Sequence, residues 1–410
     1  MTQQTQDRFA RLSEDLTERG VSIADVMRRL KSFEVETPSW GYGNSGTRFK
    51  VFKQAGVARN TFEKIDDAAE VHRLVGACPS VALHIPWDAV DDYNALAGHA
   101  HGQGVRIGAI NPNVFQDDEY KLGSVCHPDP AIRRRAVDHL LECATIMRAT
   151  NSSLLSLWFA DGTNYPGQGH FRRRFEWMTA SLTEVYAALP ENARMLVEYK
   201  FFEPAFYHTD LPDWGTALLQ CQALGPQAQV LVDTGHHPQG TNIAHIVALL
   251  LQQGALGGFH FNDRKYADDD LIAGSIDPLA LFSIFVEIVD AADDSATAEA
   301  AAGIAYMIDQ SFNVEPKIPG MIQSVLNIQN AYAKALLVDQ AALRVTQDDG
   351  DILGANNILR DAFETDVRPL TACAREELGG EADPLRAFTQ SGYLERAASE
   401  RVGPAQGWGG

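Results

Sequence analysis

Eight short apolar runs, each followed by a helix-patterned stretch, constrain this chain more than any other feature. They lie at 35–41, 80–87 (SVALHIPW), 104–111 (GVRIGAIN), 153–160 (SLLSLWFA), 194–200 (RMLVEYK), 228–235 (AQVLVDTG), 256–263 (LGGFHFND) and 303–310 (GIAYMIDQ). Most are apolar nearly throughout, as strands buried on both faces must be. After the sixth run, Ile243, Ile246, Val247, Leu250 and Leu251 fall on one helical face. After the seventh, Asp277-Pro278 supplies a cap and a proline at the first helical position, and Leu279, Phe282, Val286 and Val289 continue the stripe. This alternation predicts an α/β fold, a parallel (β/α)8 TIM barrel. A doubly wound open sheet is the structural alternative.

The barrel is expected over 1–340, with one or two extra helices in 1–32. Residues 341–400 read as a C-terminal helical extension, with helix patterns such as 356–378, and 401–410 as a disordered Gly-rich tail. Extra helices of this kind pack across the bottom of a barrel or onto a neighbouring subunit. The 410 residues are 45% apolar and 21% charged, which rules out a disordered or fibrous chain. With 34 basic against 54 acidic residues the net charge is −20, and the pI is near 4.9. That argues against a nucleic-acid partner and suits a protein that collects divalent cations. No run approaches the roughly 18–20 apolar residues of a membrane span. The N-terminal sequence lacks the order of a signal peptide. Five scattered cysteines without CxxC spacing read as reduced thiols, so the expected location is the cytoplasm, away from membranes.

What ends the apolar runs is informative. The second ends in His84 and Trp87-Asp88, the fourth in Trp158 and Asp161, and the fifth in Glu198 and Lys200. The sixth ends in Asp233, His236 and His237, the seventh in His260, Asn262 and Asp263, and the eighth in Asp309. In a (β/α)8 barrel these C-terminal strand ends surround the active site. Carboxylates gathered there would repel one another without cations. Glu198, Asp233, His260 and Asp309 could surround one divalent ion. Asp268 and Asp270, on one side of an extended loop segment, could bind a second with His236. Oxygen-rich ligation with an imidazole favours Mn²⁺, Mg²⁺ or Co²⁺ over structural zinc.

Singly, each residue has an ordinary explanation. An acidic strand end caps a helix or solvates a loop. His237 reads as structural, Asp263 and Asp269 as solvated charges, His84 as a hydrogen-bonded core histidine, and Trp40, Trp87 and Trp158 as core aromatics. Six or seven ligand-type residues at strand ends together point to a metal site.

The segments PSWGYGNSGTRF (38–49), LHIPWD (83–88), WFADGTNYPGQ (158–168), EYKFFEPAFY (198–207), LVDTGHH (231–237), GGFHFNDRKYADDDL (257–271) and MIDQSFN (307–313) carry a family likeness. With them the chain resembles the sugar isomerases of the xylose-isomerase-like barrels, most of all the bacterial L-rhamnose isomerases of broad aldose specificity. The resemblance implies a structural metal site at Glu198, Asp233, His260 and Asp309. It also implies a catalytic one at His236, Asp268 and Asp270, with Glu198 or Asp233 shared. It gives His84 a role in opening the sugar ring and Lys200 a contact with the C1–C2 oxygens. Trp87 and Trp158 become an apolar floor, with Trp40 among the substrate-binding residues. It further implies two Mn²⁺ ions (Co²⁺ or Mg²⁺ as alternatives) and a homotetramer in which a loop near Phe49 enters a neighbouring site. One departure is Phe312, where the family pattern expects His.

The implied reaction is ring opening of an aldose followed by a hydride shift from C2 to C1. A water near Asp270 or Asp309 would relay the proton, and Lys200 would face the developing oxyanion. An enediol route needs a base not consumed by ligation, and every well-placed carboxylate is claimed. The implied substrate is L-rhamnose, with L-mannose, L-lyxose and D-allose as further aldoses. Another aldohexose or a single-metal ketose 3-epimerase are the alternatives. A phosphodiesterase of the endonuclease-IV kind would want more histidines and a basic face. A non-catalytic sugar binder should have lost ligands or Lys200.

Overall fold

The computed structural model describes residues 3–44, 51–203, 207–267 and 269–405, the side chain of Gln4 excepted. Ten strands form. In chain order they are β1 (Thr37–Pro38), β2 (Ser80–Ile85), β3 (Arg106–Pro112), β4 (Leu154–Leu157), β5 (Arg194–Glu198), β6 (Phe202–Glu203), β7 (Tyr207–His208), β8 (Ala228–Asp233), β9 (Leu256–Phe261) and β10 (Ala305–Ile308). Eight of them make one parallel sheet in the order β1-β2-β3-β4-β5-β8-β9-β10. The sheet curls until its edges meet: the Glu36 N–H donates to the Tyr306 carbonyl at 2.8 Å, and Ile308 donates back to Glu36 at 3.0 Å. The result is the expected barrel. β6 and β7 form a separate antiparallel hairpin in the loop after β5.

All eight apolar runs carry a barrel strand. The first is shorter than its pattern, because Ser39–Tyr42 turns into a 3-10 helix directly after Pro38. Helices start where the sequence provides a cap. Asp129 and Asp277 each precede a proline and accept a backbone N–H of the first turn. Asn242 caps the helix Ile243–Gln252, whose buried Ile246, Val247, Leu250 and Leu251 are the predicted face. The predicted stripe of the next helix needs one correction: Phe282, Val286 and Val289 are buried, but Leu279 is 53% exposed. It sits in the first turn of that helix.

Two helices, Gln3–Glu18 and Ile23–Ser32, precede the barrel. The helix Arg368–Glu377 packs against both of them and against Lys317–Ala335. Farther on, Arg401 reaches Asp67 of the helix Thr61–Val75 at 2.8 Å, so the end of the described chain is tied to the first barrel helix. Among the described residues no helix is long and apolar enough to cross a membrane.

A small core fills the barrel axis: Trp40, Ala82, Ala109, Leu196, Leu231 and Met307 pack together there. Side chains alternate along a strand with period two. Two residues beyond Ala82, Leu196, Leu231 and Met307, the next inward layer therefore holds His84, Glu198, Asp233 and Asp309. His260 stands likewise two beyond Gly258.

Candidate functional site

One atom each of Glu198, Asp233, His260 and Asp309 lies within 4.8 Å of the others. Ligands on an ion with bonds of roughly 2.1 Å sit at most ~4.2 Å apart, so a contraction of a few tenths of an ångström would enclose one. His260 Nδ1 is 3.1 Å from Glu198 Oε2 and 3.6 Å from Asp309 Oδ2. His236 Nδ1 stands 3.0 Å from Glu198 Oε1. Nevertheless Glu198 Oε1 and His260 Nδ1 are buried with no hydrogen bond of proper geometry among the described residues. The convergence of these groups and their chemistry fit a divalent ion with mostly oxygen ligands.

The surroundings hold these groups in place. Asn262 donates its amide to both oxygens of Asp233 at 3.0 Å, and the Gly235 N–H donates to Oδ1 at 2.6 Å. The Trp40 indole donates to Asp309 Oδ1 at 2.7 Å. Tyr199 and His237 share a buried hydrogen bond of 2.7 Å, which places His237 in a supporting role behind the ligands. Burial alone would raise the Glu198 pKa, but His260 and His236 outweigh it and bring it to about 2. Burial would lower that of His260, yet Glu198, Asp309 and Asp233 raise it to about 9. The carboxylates of the cluster thus favour a positive charge among them.

Beside the cluster is an aromatic wall. His84 stacks on Trp87 with ring centroids 3.8 Å apart and meets Trp40 edge-on at 5.5 Å. Phe115 packs edge-on against His84, Trp87 and Trp158. The Nδ1 of His84 and the indole nitrogen of Trp158 are buried and have no hydrogen-bond partner among the described residues. His84 is thus no hydrogen-bonded core histidine at that nitrogen, contrary to the ordinary reading. Lys200 Nζ lies 5.3 Å from the centre of the Trp158 ring and 2.8 Å from Glu203 Oε2.

The loop after β9 behaves differently from the sequence reading. Asp270 has φ of 47°, a left-handed residue, so the segment is not extended there. Asp269 folds the loop by accepting from the N–H groups of Lys265 and Tyr266, both at 2.7 Å. Asp263 accepts from Ile276 and Asp277 at the next helix start. Neither is merely a solvated charge. Asp270 accepts from the Ser311 hydroxyl at 3.2 Å. Asp268 and Phe49 lie outside the described residues. Phe312 also has positive φ, at 41°, and is buried.

A second group of potential ligands, Cys126, Asp161 and Asp210, is closed by its own partners. Asp161 accepts from the Ser124 N–H and hydroxyl, both at 2.7 Å, and from the Cys126 thiol at 2.9 Å. Arg174, buried with it, pairs with Asp210 at 2.8 Å. Asp161, counted in the sequence among the metal-facing strand ends, serves this structural network instead. Sequence reasoning missed Phe115 and Glu203. Glu203 was legible as the residue three beyond Lys200, whereas nothing marks an apolar Phe115 as part of a pocket.

No family model matches the chain. It is 46% identical over 409 residues to a protein of Rhizobium meliloti (strain 1021) named "Probable sugar isomerase", covering 98% of this chain and 94% of that one. A Mesorhizobium japonicum protein with the same kind of name is 45% identical over 409 residues, with the same coverage. Among solved structures, one of an L-ribulose 3-epimerase superposes with a TM-score of 0.52 over 75% of this chain and 98% of that chain. At 14% identity that likeness speaks for the fold alone. A (β/α)8 barrel with a candidate metal cluster at its C-terminal strand ends, nearly half identical to these two proteins along its whole length, belongs to their family of sugar isomerases.

Proposed function

We propose that the chain is a metal-dependent aldose–ketose isomerase acting on L-rhamnose to give L-rhamnulose, with L-mannose, L-lyxose and D-allose as further substrates. The observation that carries this reading is the convergence of Glu198, Asp233, His260 and Asp309 within 4.8 Å beside an aromatic wall. In this reading those four residues hold one divalent ion, and His236, Asp268 and Asp270 hold a second. Mn²⁺ is the preferred ion, with Co²⁺ or Mg²⁺ as substitutes. When bound, the ions supply Lewis-acid polarisation of the sugar oxygens O1 and O2.

The chain's own groups supply the rest. His84, with an unpartnered ring nitrogen at the pocket, accepts or donates the proton that opens the sugar ring. Hydrogen then passes with its electron pair from C2 to C1, making C2 the carbonyl, while the O2 proton moves to O1 by way of a water held near Asp270 or Asp309. The Lys200 ammonium faces the oxygen on which negative charge develops. Trp87 and Trp158, with Trp40, exclude water from the path of the hydrogen. A homotetramer in the cytoplasm, with the loop near Phe49 entering a neighbouring site, completes the proposal.

The test is ketose formation from L-rhamnose, L-mannose, L-lyxose, D-allose and D-xylose, after EDTA treatment and after Mn²⁺ is restored. Metal-dependent turnover with L-rhamnose fastest is the expected result. Absence of turnover with every aldose, despite tight Mn²⁺ binding, would overturn the isomerase reading. Solvent deuterium incorporated at C1 of the product would overturn the hydride shift alone.

A further inference from the structure

Behind the aromatic wall lies a charged pair that the proposed reaction does not use. Lys64, on the helix Thr61–Val75, and Asp88, in the turn after β2, have side chains 1% and 0% exposed, with Nζ 2.5 Å from Oδ1. The other oxygen of Asp88 accepts from the His84 N–H at 2.7 Å and from the Ser39 hydroxyl. The Asp88 N–H donates in turn to the His84 carbonyl at 2.8 Å. Asp88 thus grips both backbone groups of His84 and, through Ser39, the residue preceding Trp40. Trp40 bears edge-on against His84 and donates to Asp309.

A buried ion pair explains stability poorly, because removing both charges from water offsets their attraction, and an apolar pair of similar size often does as well. What an apolar pair cannot do is accept hydrogen bonds in fixed directions from two separate segments. We infer that Asp88, neutralised by Lys64, is a positioning residue that fixes His84 and Trp40 at the mouth of the barrel. The purpose of that placement rests on the isomerase reading, but the placement itself is measurable without a sugar.

The full-length protein is compared in two doubly substituted forms. Lys64→Met with Asp88→Leu removes charges and acceptors together. Lys64→Met with Asp88→Asn removes the charges and keeps an oxygen for His84 and Ser39. Hydrogen exchange of the Trp40 indole N–H is followed by NMR on tryptophan-labelled protein, with Trp40→Phe to assign the signal. Exchange should accelerate about tenfold or more in the Met/Leu form and stay within about threefold of wild type in the Met/Asn form. KM for the best aldose should follow the same pattern, with kcat moving less. Equal indole protection in all three proteins overturns the inference. If the Met/Leu form does not fold, Ser39→Ala decides: it leaves the ion pair intact and should still speed indole exchange by about threefold, and unchanged exchange overturns the inference. The expected exchange pattern in a protein that turns over no aldose would sink the isomerase reading and leave the positioning role standing.

Discussion

Trp40 touches two systems at once, bonding Asp309 through its indole nitrogen and packing edge-on to His84. Partners that orient a ligand typically change metal affinity by about 10–100-fold when removed. Trp40→Phe should therefore weaken Mn²⁺ binding in that range, read by electron paramagnetic resonance titration. An unchanged affinity would mean that Asp309 needs no orienting group. His84 gives a pH prediction. Burial first, then the charge of Lys64, pushes its pKa down from 6.5 to about 3. Below pH 6.5 the unfolded chain takes up a proton that the folded chain refuses. The stabilising contribution is thus complete above pH 6.5 and is lost as the pH falls toward 3. Over two units that amounts to about 2–3 kcal/mol. Urea unfolding of His84→Gln should lack this component between pH 6.5 and 4.5, and parallel pH profiles for variant and wild type would refute it. Both residues stood out in the sequence only as strand-end polar or aromatic groups. The partner of Trp40, Asp309, lies 269 positions away, and Lys64, which pairs with the Asp88 beside His84, lies on a separate helix, so neither could be read from spacing.

Strands and helix caps were legible because their causes are local: apolar continuity for β2, β8 and β9, and a cap side chain within three residues of its N–H for the helices at 243 and 278. The convergence of Glu198 and Asp233 was legible for a related reason, since period-two alternation carries the inward face from Leu196 to Glu198 and from Leu231 to Asp233. Loops resisted the same treatment. The left-handed turn at Asp270 depends on Ser311 from the loop after β10, a contact between residues 41 apart in sequence. The Arg174 network is the clearest case, because it joins the loop at 122–126, the segment after β4 and the segment after β7 to the helix Phe171–Ala187. Removing the cation from a buried pair of this kind costs about 3–5 kcal/mol. Arg174→Ala should lower the urea midpoint accordingly. A midpoint matching wild type would show that Asp161 and Asp210 reach water when the arginine is gone.

At the scale of the whole molecule, the five cysteines bear on how tightly the chain holds together. All are free and buried, and burial raises the pKa of each thiol. A thiol reagent should therefore leave native protein untouched on the timescale of minutes and modify five groups after unfolding. Rapid reaction of even one group in the native state would reveal local opening in its neighbourhood. The reduced thiols and the acidic balance were both apparent from composition. The way Arg401 closes onto Asp67 was not, since it depends on where the barrel brings the chain's last helices. The packed axis has a wider consequence. With Trp40, Ala82, Ala109, Leu196, Leu231 and Met307 filling the channel beneath the candidate metal cluster, the barrel formed by the described residues is a cup rather than a tunnel. A sugar held at the strand ends, as proposed, would therefore have to leave on the side from which it came, so product and reactant would compete for the same approach.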